Sequence, residues 1–138
     1  MFYGQKLSTL VVDDDPDVVE FMTHVLRSAS CDVCFALDGD EALQQAEAND
    51  PDVVFLDINI PEQDGWLVCS KLKMPVKGPK IVLITGRTEN DTDRFAGFVH
   101  ADEVLKKPFT EEDVLRVLKE VCRTVASVGI GRLDVQSC

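Results

Sequence analysis

The sequence lacks the features that mark a secreted or membrane-bound chain. No positively charged stretch followed by an apolar core opens it, so no leader is expected. Its longest apolar runs have the length of a β-strand, too short to cross a bilayer. Basic residues are scarce: 14 Lys and Arg stand against 25 Asp and Glu, a net charge of −11. That balance disfavours direct binding to nucleic acid or to an anionic membrane, and it fits a cation site or a basic partner. Five cysteines are an odd number, which suits a cytoplasmic chain with free thiols. Cys31 and Cys34 have the spacing of half a zinc or redox site. No second pair accompanies them, and residues three apart on a strand face opposite sides of a sheet, so both are read as core thiols. There is no internal repeat and no low-complexity segment.

What is present is a single domain of ordinary composition, 45% hydrophobic and 28% charged over 138 residues, enough to bury a normal core. Leu7 to Val12 is an apolar strand broken by Asp13-Asp14-Asp15-Pro16. Asp15 can cap the helix that follows and Pro16 suits its first turn. Val18, Met22, Val25 and Ala29 repeat at helical spacing, with Phe21 and Leu26 widening the stripe. Cys31 to Leu37 is a second strand, and Ala42, Leu43 and Ala46 mark a short helix after the Asp38-Gly39 turn. The third strand, Val53 to Asp57, is buried on both faces by its pattern. Trp66, Leu67, Cys69 and Leu72 suggest a third helix. Lys80 to Thr85 is the fourth strand, Asp91 to Val99 the fourth helix and Val104-Leu105 a short fifth strand. Thr110 caps a last helix whose inward residues are Val114, Leu118, Val121 and Val125. Strands alternating with helices predict an α/β fold, a doubly wound three-layer sandwich around a parallel sheet. The domain is expected over residues 6–126, with 127–138 a tail or linker stub.

In an open parallel sheet, chemistry collects at the carboxyl ends of the strands. Those ends carry Asp13 and Asp14, Asp57, Thr85 and Lys107, while the second strand fits an outer position away from them. Asp57 alone reads most simply as a helix cap. The set of five reads differently. Two carboxylates about 4 Å apart repel by on the order of 4 kcal/mol at an effective dielectric near 20. A hard cation such as Mg²⁺ relieves this through oxygen ligands. Lys107 adds a second positive charge, Thr85 can donate a hydrogen bond, and Asp57 can attack phosphorus to form an acyl phosphate. The pattern suits holding and transferring a phosphoryl group.

Four stretches carry a resemblance that runs in order from about Lys6 to Val125. Val11-Val12-Asp13-Asp14-Asp15, Leu56-Asp57-Ile58-Asn59-Ile60-Pro61-Glu62-Gln63-Asp64-Gly65, Ile84-Thr85-Gly86 and Lys107-Pro108-Phe109 resemble the receiver domain of two-component response regulators. The resemblance implies the flavodoxin-like strand order 2-1-3-4-5. It implies that Asp57 is the phosphoacceptor, that Asp14 binds Mg²⁺ (or Mn²⁺) directly and Asp13 through water, and that the backbone carbonyl of Asn59 is a further ligand. It implies that Thr85 moves towards the phosphoryl group, that Lys107 pairs with it, and that Lys107-Pro108 is a cis peptide. The implied donor is a phosphohistidine on a sensor histidine kinase or a histidine phosphotransfer protein. The Asn59 side chain and Arg87 occupy positions that tune self-dephosphorylation. By the same resemblance this is a regulator that catalyses only its own phosphorylation and slow dephosphorylation. Its output face is the fourth helix, fifth strand and fifth helix (α4-β5-α5), and a homodimer through that face is left open. No DNA-binding helix pair or catalytic output domain follows the last helix, so a stand-alone receiver and one cut from a longer chain near Ser127 are both expected readings.

Two positions depart from the family pattern. Val104 stands where a Tyr or Phe is usual, three residues before Lys107, so an aromatic toggle is missing. His100 stands where a glycine usually ends the fourth helix. His100 and His24 lie away from strand carboxyl ends and are not read as catalytic, and Trp66 is read as a packing residue. A small haloacid-dehalogenase-like phosphohydrolase also uses an Asp nucleophile, Mg²⁺, a Thr or Ser and a Lys, and Asp13-Asp14-Asp15 contains its spacing. That alternative needs a late Asp pair, which the sequence lacks, and a nucleophile on a different strand. A flavodoxin-like flavin site needs a hydroxyl-rich phosphate loop where this chain places carboxylates.

Overall fold

A computed structural model describes residues 6–58, 65–72, 78–86 and 101–127, the side chains of 65–67 and 123–127 excepted. Five parallel strands, β1 (Ser8–Val12), β2 (Asp32–Ala36), β3 (Val53–Asp57), β4 (Lys80–Thr85) and β5 (Glu103–Lys106), form one sheet. Their order is β2-β1-β3-β4-β5. This is the doubly wound arrangement of the flavodoxin-like fold that the alternating pattern predicts. The helices are α1 (Pro16–Ser28), α2 (Gly39–Asn49), α3 (Gly65–Leu72) and a C-terminal helix (Glu111–Ser127).

α1, α2 and the C-terminal helix each start where a side chain can replace a missing carbonyl. Asp15 accepts from the Asp17 amide at 2.9 Å, and Pro16 opens α1. Asp38 accepts from the Glu41 amide at 2.8 Å while Glu41 accepts from the Leu37 amide at 2.7 Å, so this turn is also a helix cap. Thr110 and Asp113 close a reciprocal box: the Asp113 amide donates to Thr110 Oγ1 at 3.1 Å and the Thr110 amide to Asp113 Oδ2 at 2.9 Å.

The sheet divides the core in two. Leu7, Val11, Phe55, Val82 and Ile84 pack with α1 and the C-terminal helix on one face. Leu10, Val12, Leu56, Ile81 and Leu83 pack with α2 and α3 on the other. β3, central and buried throughout, presents residues to both. Cys31 lies in the first cluster and Cys34 borders the second, so the two thiols sit on opposite faces.

The inward stripe of α1 differs from the expected one. Val19, Met22, Val25 and Leu26 are buried, whereas Phe21 is exposed and lies over Phe109 with ring centroids 6.1 Å apart. At 100° per residue Phe21 falls off the stripe and onto the flank that meets the start of the C-terminal helix. In that helix Val114, Leu118 and Val121 face inward as expected, joined by Val117 and Cys122. The expected fourth helix (Asp91 to Val99), Asn59, Arg87, His100, the Trp66 and Val125 side chains and the tail from 128 lie outside the described residues.

Candidate functional site

β1 and β3 are neighbours, and their register sets Val12 beside Leu56. Asp13 and Asp57 therefore leave the sheet side by side. The Asp13 amide still donates to Ala36 O at 3.2 Å, which keeps that residue inside the sheet's end and its side chain fully buried. Asp14, one residue on, is exposed. One carboxylate oxygen from each of Asp13, Asp14 and Asp57 lies within 4.8 Å of the others.

Lys107 approaches from β5. Its backbone amide donates to Thr85 O at 2.7 Å, tying the strand end to β4. Its Nζ donates to Asp57 Oδ2 at 3.1 Å and stands 3.2 Å from Asp13 Oδ2. The second approach is ionic only, because the ammonium is out of line for a hydrogen bond and Asp13 Oδ2 is left buried without one. Asp13 Oδ1, in contrast, accepts from the Asp15 amide at 2.9 Å. The Lys107-Pro108 peptide is cis, as the resemblance implies. Thr85 is buried at the end of β4, opposite Lys106 in the strand pairing.

The electrostatics follow from this packing. Burial pushes the Asp13 carboxyl up to about 6, helped by the neighbouring Asp57 charge and opposed by the Asp15 hydrogen bond and Lys107. Burial would lower the Lys107 ammonium, but the hydrogen bond and charge of Asp57, with the charge of Asp13, outweigh it and hold it above the ordinary lysine value. Three carboxylates against one ammonium leave excess negative charge. A buried carboxylate oxygen lacking a hydrogen bond, beside two further carboxylates, is a donor set that fits a hard divalent cation.

The structure thus brings together Asp13, Asp14, Asp57 and Lys107, with Thr85 at the adjoining strand end. Asn59 lies outside the described residues, so its carbonyl has no place in this geometry. The reading of the sequence missed the Asp15 amide as the group that holds Asp13. The Asp13-Asp14-Asp15-Pro16 run carried a signal for it, since an Asp two residues before an amide commonly accepts from it in a turn.

The site sits on a fold with many solved counterparts. The chemotaxis response regulator CheY4 of Vibrio cholerae superposes with a TM-score of 0.79 at 29% identity, covering 85% of this chain and 99% of that one. Among sequence relatives, the alkaline phosphatase synthesis transcriptional regulatory protein PhoP of Bacillus subtilis is 35% identical over 115 residues. That match takes in 83% of this chain and 48% of PhoP. The DNA-binding response regulator MtrA of Mycolicibacterium smegmatis is 36% identical over 134 residues, 91% of this chain and 58% of MtrA. The chain thus spans about half the length of these curated relatives. Relatives named as transcriptional and DNA-binding regulators give no support to the expectation, drawn from net charge, of a protein without nucleic-acid contacts. Those relatives extend well beyond the matched segment, so its net charge does not bear on their contacts with DNA. Among the described residues no helix is long and apolar enough to cross a membrane. The family model for the response regulator receiver domain matches residues 9–119. The chain belongs to the receiver domain family of two-component response regulators.

Proposed function

We propose that this receiver domain, over residues 6–126, is a cytoplasmic phosphoacceptor switch in which Asp57 takes a phosphoryl group from a phosphohistidine. The donor is a sensor histidine kinase or a histidine phosphotransfer protein. The observation that carries the reading is the Lys107 ammonium between Asp57 and Asp13, 3.1 and 3.2 Å from their oxygens, inside a three-carboxylate cluster.

Asp13, Asp14 and Asp57 would hold Mg²⁺ or Mn²⁺, with the Asn59 carbonyl assigned by the family pattern. When bound, the cation neutralises phosphoryl oxygens and offsets the repulsion among the carboxylates. The chain's own residues do the rest. An Asp57 carboxylate oxygen attacks phosphorus, the P–N bond to the donor imidazole breaks, and its electron pair returns to the ring nitrogen. Lys107 orients the attacking carboxylate and then pairs with the phosphoryl oxygens. Thr85 donates its hydroxyl to one of them. Asp13 is held in place by the Asp15 amide and keeps the Lys107 ammonium charged. Because little covalent work falls to the protein, positioning and charge neutralisation supply the rate.

The test uses a small-molecule donor. Incubation with Mg²⁺ and acetyl phosphate or phosphoramidate is expected to give one hydroxylamine-labile phosphoryl adduct by intact mass. Asp57→Ala should lose it. Rapid hydrolysis of a generic phosphate ester, retained in Asp57→Ala, would instead identify a phosphohydrolase and overturn the assignment.

A further inference from the structure

Strand β2 forms one edge of the sheet and carries an apolar surface that nothing among the described residues covers. Phe35 is 50% exposed and Leu37 42%. With Val33 they line a groove of about 580 Å³ against Pro16, Thr23 and His24 of α1. Edge strands are ordinarily guarded by charge. The opposite edge, β5, obeys this with Glu103 and the exposed Lys106. From Val33 to Leu37 the chain has no charged residue. Asp32, at the start of β2, is drawn towards Lys6 at 3.9 Å.

The backbone makes this edge self-complementary. The Asp32 amide donates to Leu7 O at 2.9 Å, and Ala36 O accepts from the Asp13 amide at 3.2 Å. In a parallel ladder alternate residues do the bonding, so Asp32, Cys34 and Ala36 serve β1. Val33 and Phe35 therefore point their N–H and C=O groups away from the sheet. We infer that two copies of this chain pair their β2 edges antiparallel about a two-fold axis at Cys34, joining two five-stranded sheets into one.

About that axis Val33 of each copy meets Phe35 of the other. Both are residues with outward groups, so each pair exchanges two hydrogen bonds. Cys34 then faces its own counterpart as a non-hydrogen-bonded pair with Cα atoms about 4.5 Å apart, inside the roughly 4.4–6.8 Å range of disulfides. On the groove side the two α1 helices, each packed against β1 and β2, run antiparallel across the axis. The sequence of α1 suits this placement. Its first half carries Asp17 and Glu20 behind the cap Asp15, and its second half His24 and Arg27. Antiparallel copies set the acidic half of one helix against the basic half of the other. The carboxylate clusters lie at the far ends of the strands and stay open, one at each end of the pair. This pairing does not depend on the phosphoacceptor reading.

The experiment uses the full chain. Amide hydrogen exchange at about 5 µM and about 500 µM is expected to slow at least tenfold at Val33 and Phe35 with concentration, and not at Glu103 or Lys106 of the other edge. Sedimentation should show a dimer at the higher concentration. Mild oxidation with diamide should then give a covalent dimer whose linking peptide is Cys34 to Cys34. Cys34→Ser removes the cross-link and keeps the dimer, whereas Phe35→Lys, at an exposed position, gives a folded monomer by circular dichroism. A monomer at both concentrations would overturn the proposal, as would a covering of β2 by the chain's own terminal segments, seen as concentration-independent protection. A dimer in which Phe35→Lys still associates, or one cross-linked only through other cysteines, would overturn it too.

Discussion

Replacing Asp13 with Asn tests whether the site is a store of unfavourable charge waiting for a cation. In the metal-free protein the Asp13 carboxyl is pushed from 3.8 up to about 6, chiefly by burial. A raised carboxyl means that, between those two values, the folded protein holds a proton that the unfolded chain has released. Stability therefore falls as pH rises through this window and is flat, for this group, outside it. Each pH unit of separation is worth about 1.4 kcal/mol, so wild type should lose on the order of 3 kcal/mol between pH 4 and pH 6. Asp13→Asn keeps the oxygen that accepts from the Asp15 amide and cannot ionise. Urea unfolding in a chelator, at half-unit steps from pH 4 to pH 7, should show the variant gaining about 3 kcal/mol on wild type across the window. Mg²⁺ at about 100 times its dissociation constant should then stabilise wild type by about 2.7 kcal/mol and the variant by less. Parallel curves for the two proteins would refute the reasoning, because they would mean that Asp13 titrates alike in both states.

Other sites give independent expectations. Lys107→Met leaves Asp13 and Asp57 without their ammonium, so metal-free stability at pH 7 should drop by about 1–3 kcal/mol and the phosphoryl adduct should be lost by intact mass. Phe55→Ala empties the centre of β3, where the side chain is fully buried, and should cost about 3–5 kcal/mol in urea unfolding. Asp52→Ala removes the acceptor of the Ser8 amide, 2.9 Å away, and should cost about 1–2 kcal/mol with Mg²⁺ affinity unchanged by titration calorimetry. At Val104, a β-branched residue that is stiff at χ1, a phosphate mimic should move backbone amide resonances more than side-chain methyls. Equal shifts of the two would sink that expectation.

The sheet was the most legible part of the chain. β3 and β4 have the bounds read from sequence because central parallel strands are apolar without interruption, and such runs start and stop abruptly. β2 is shorter than expected at both ends, since at an edge the pattern continues past the last paired residue. Phe21 shows a different limit. Helical periodicity gives the width of an apolar stripe but not which flank is covered, and only the return of Phe109 beside α1 decides that. In the site, the gathering of Asp13, Asp14, Asp57 and Lys107 followed from strand ends alone. The inequality of Asp13 and Asp14 did not. Adjacent identical letters carry no record of which one still belongs to the sheet, and the Asp13 amide bond to Ala36 is a contact between distant segments.

Charge ties these observations into one account of why the site sits where it does. Three carboxylates and one ammonium sum to −2 if all are ionised, and a divalent cation brings that sum to zero. In the proposed switch, converting Asp57 from a monoanion to an acyl phosphate dianion would add one negative charge, and among the described residues Lys107, 3.1 Å from Asp57 Oδ2, is the cation paired with it. Lys107 directly follows β5, whose register against β4 sets Val104 beside Leu83 and Lys106 beside Thr85. A pull on Lys107 therefore acts on an edge strand that has one hydrogen-bonded neighbour among the described residues, and an edge strand shifts more readily than a central one. Asp57 lies on the most buried strand, where its own backbone has little freedom. On the proposed reading, the residue that would gain charge is held on a central, buried strand, and the ammonium that would respond to it follows directly on an edge strand.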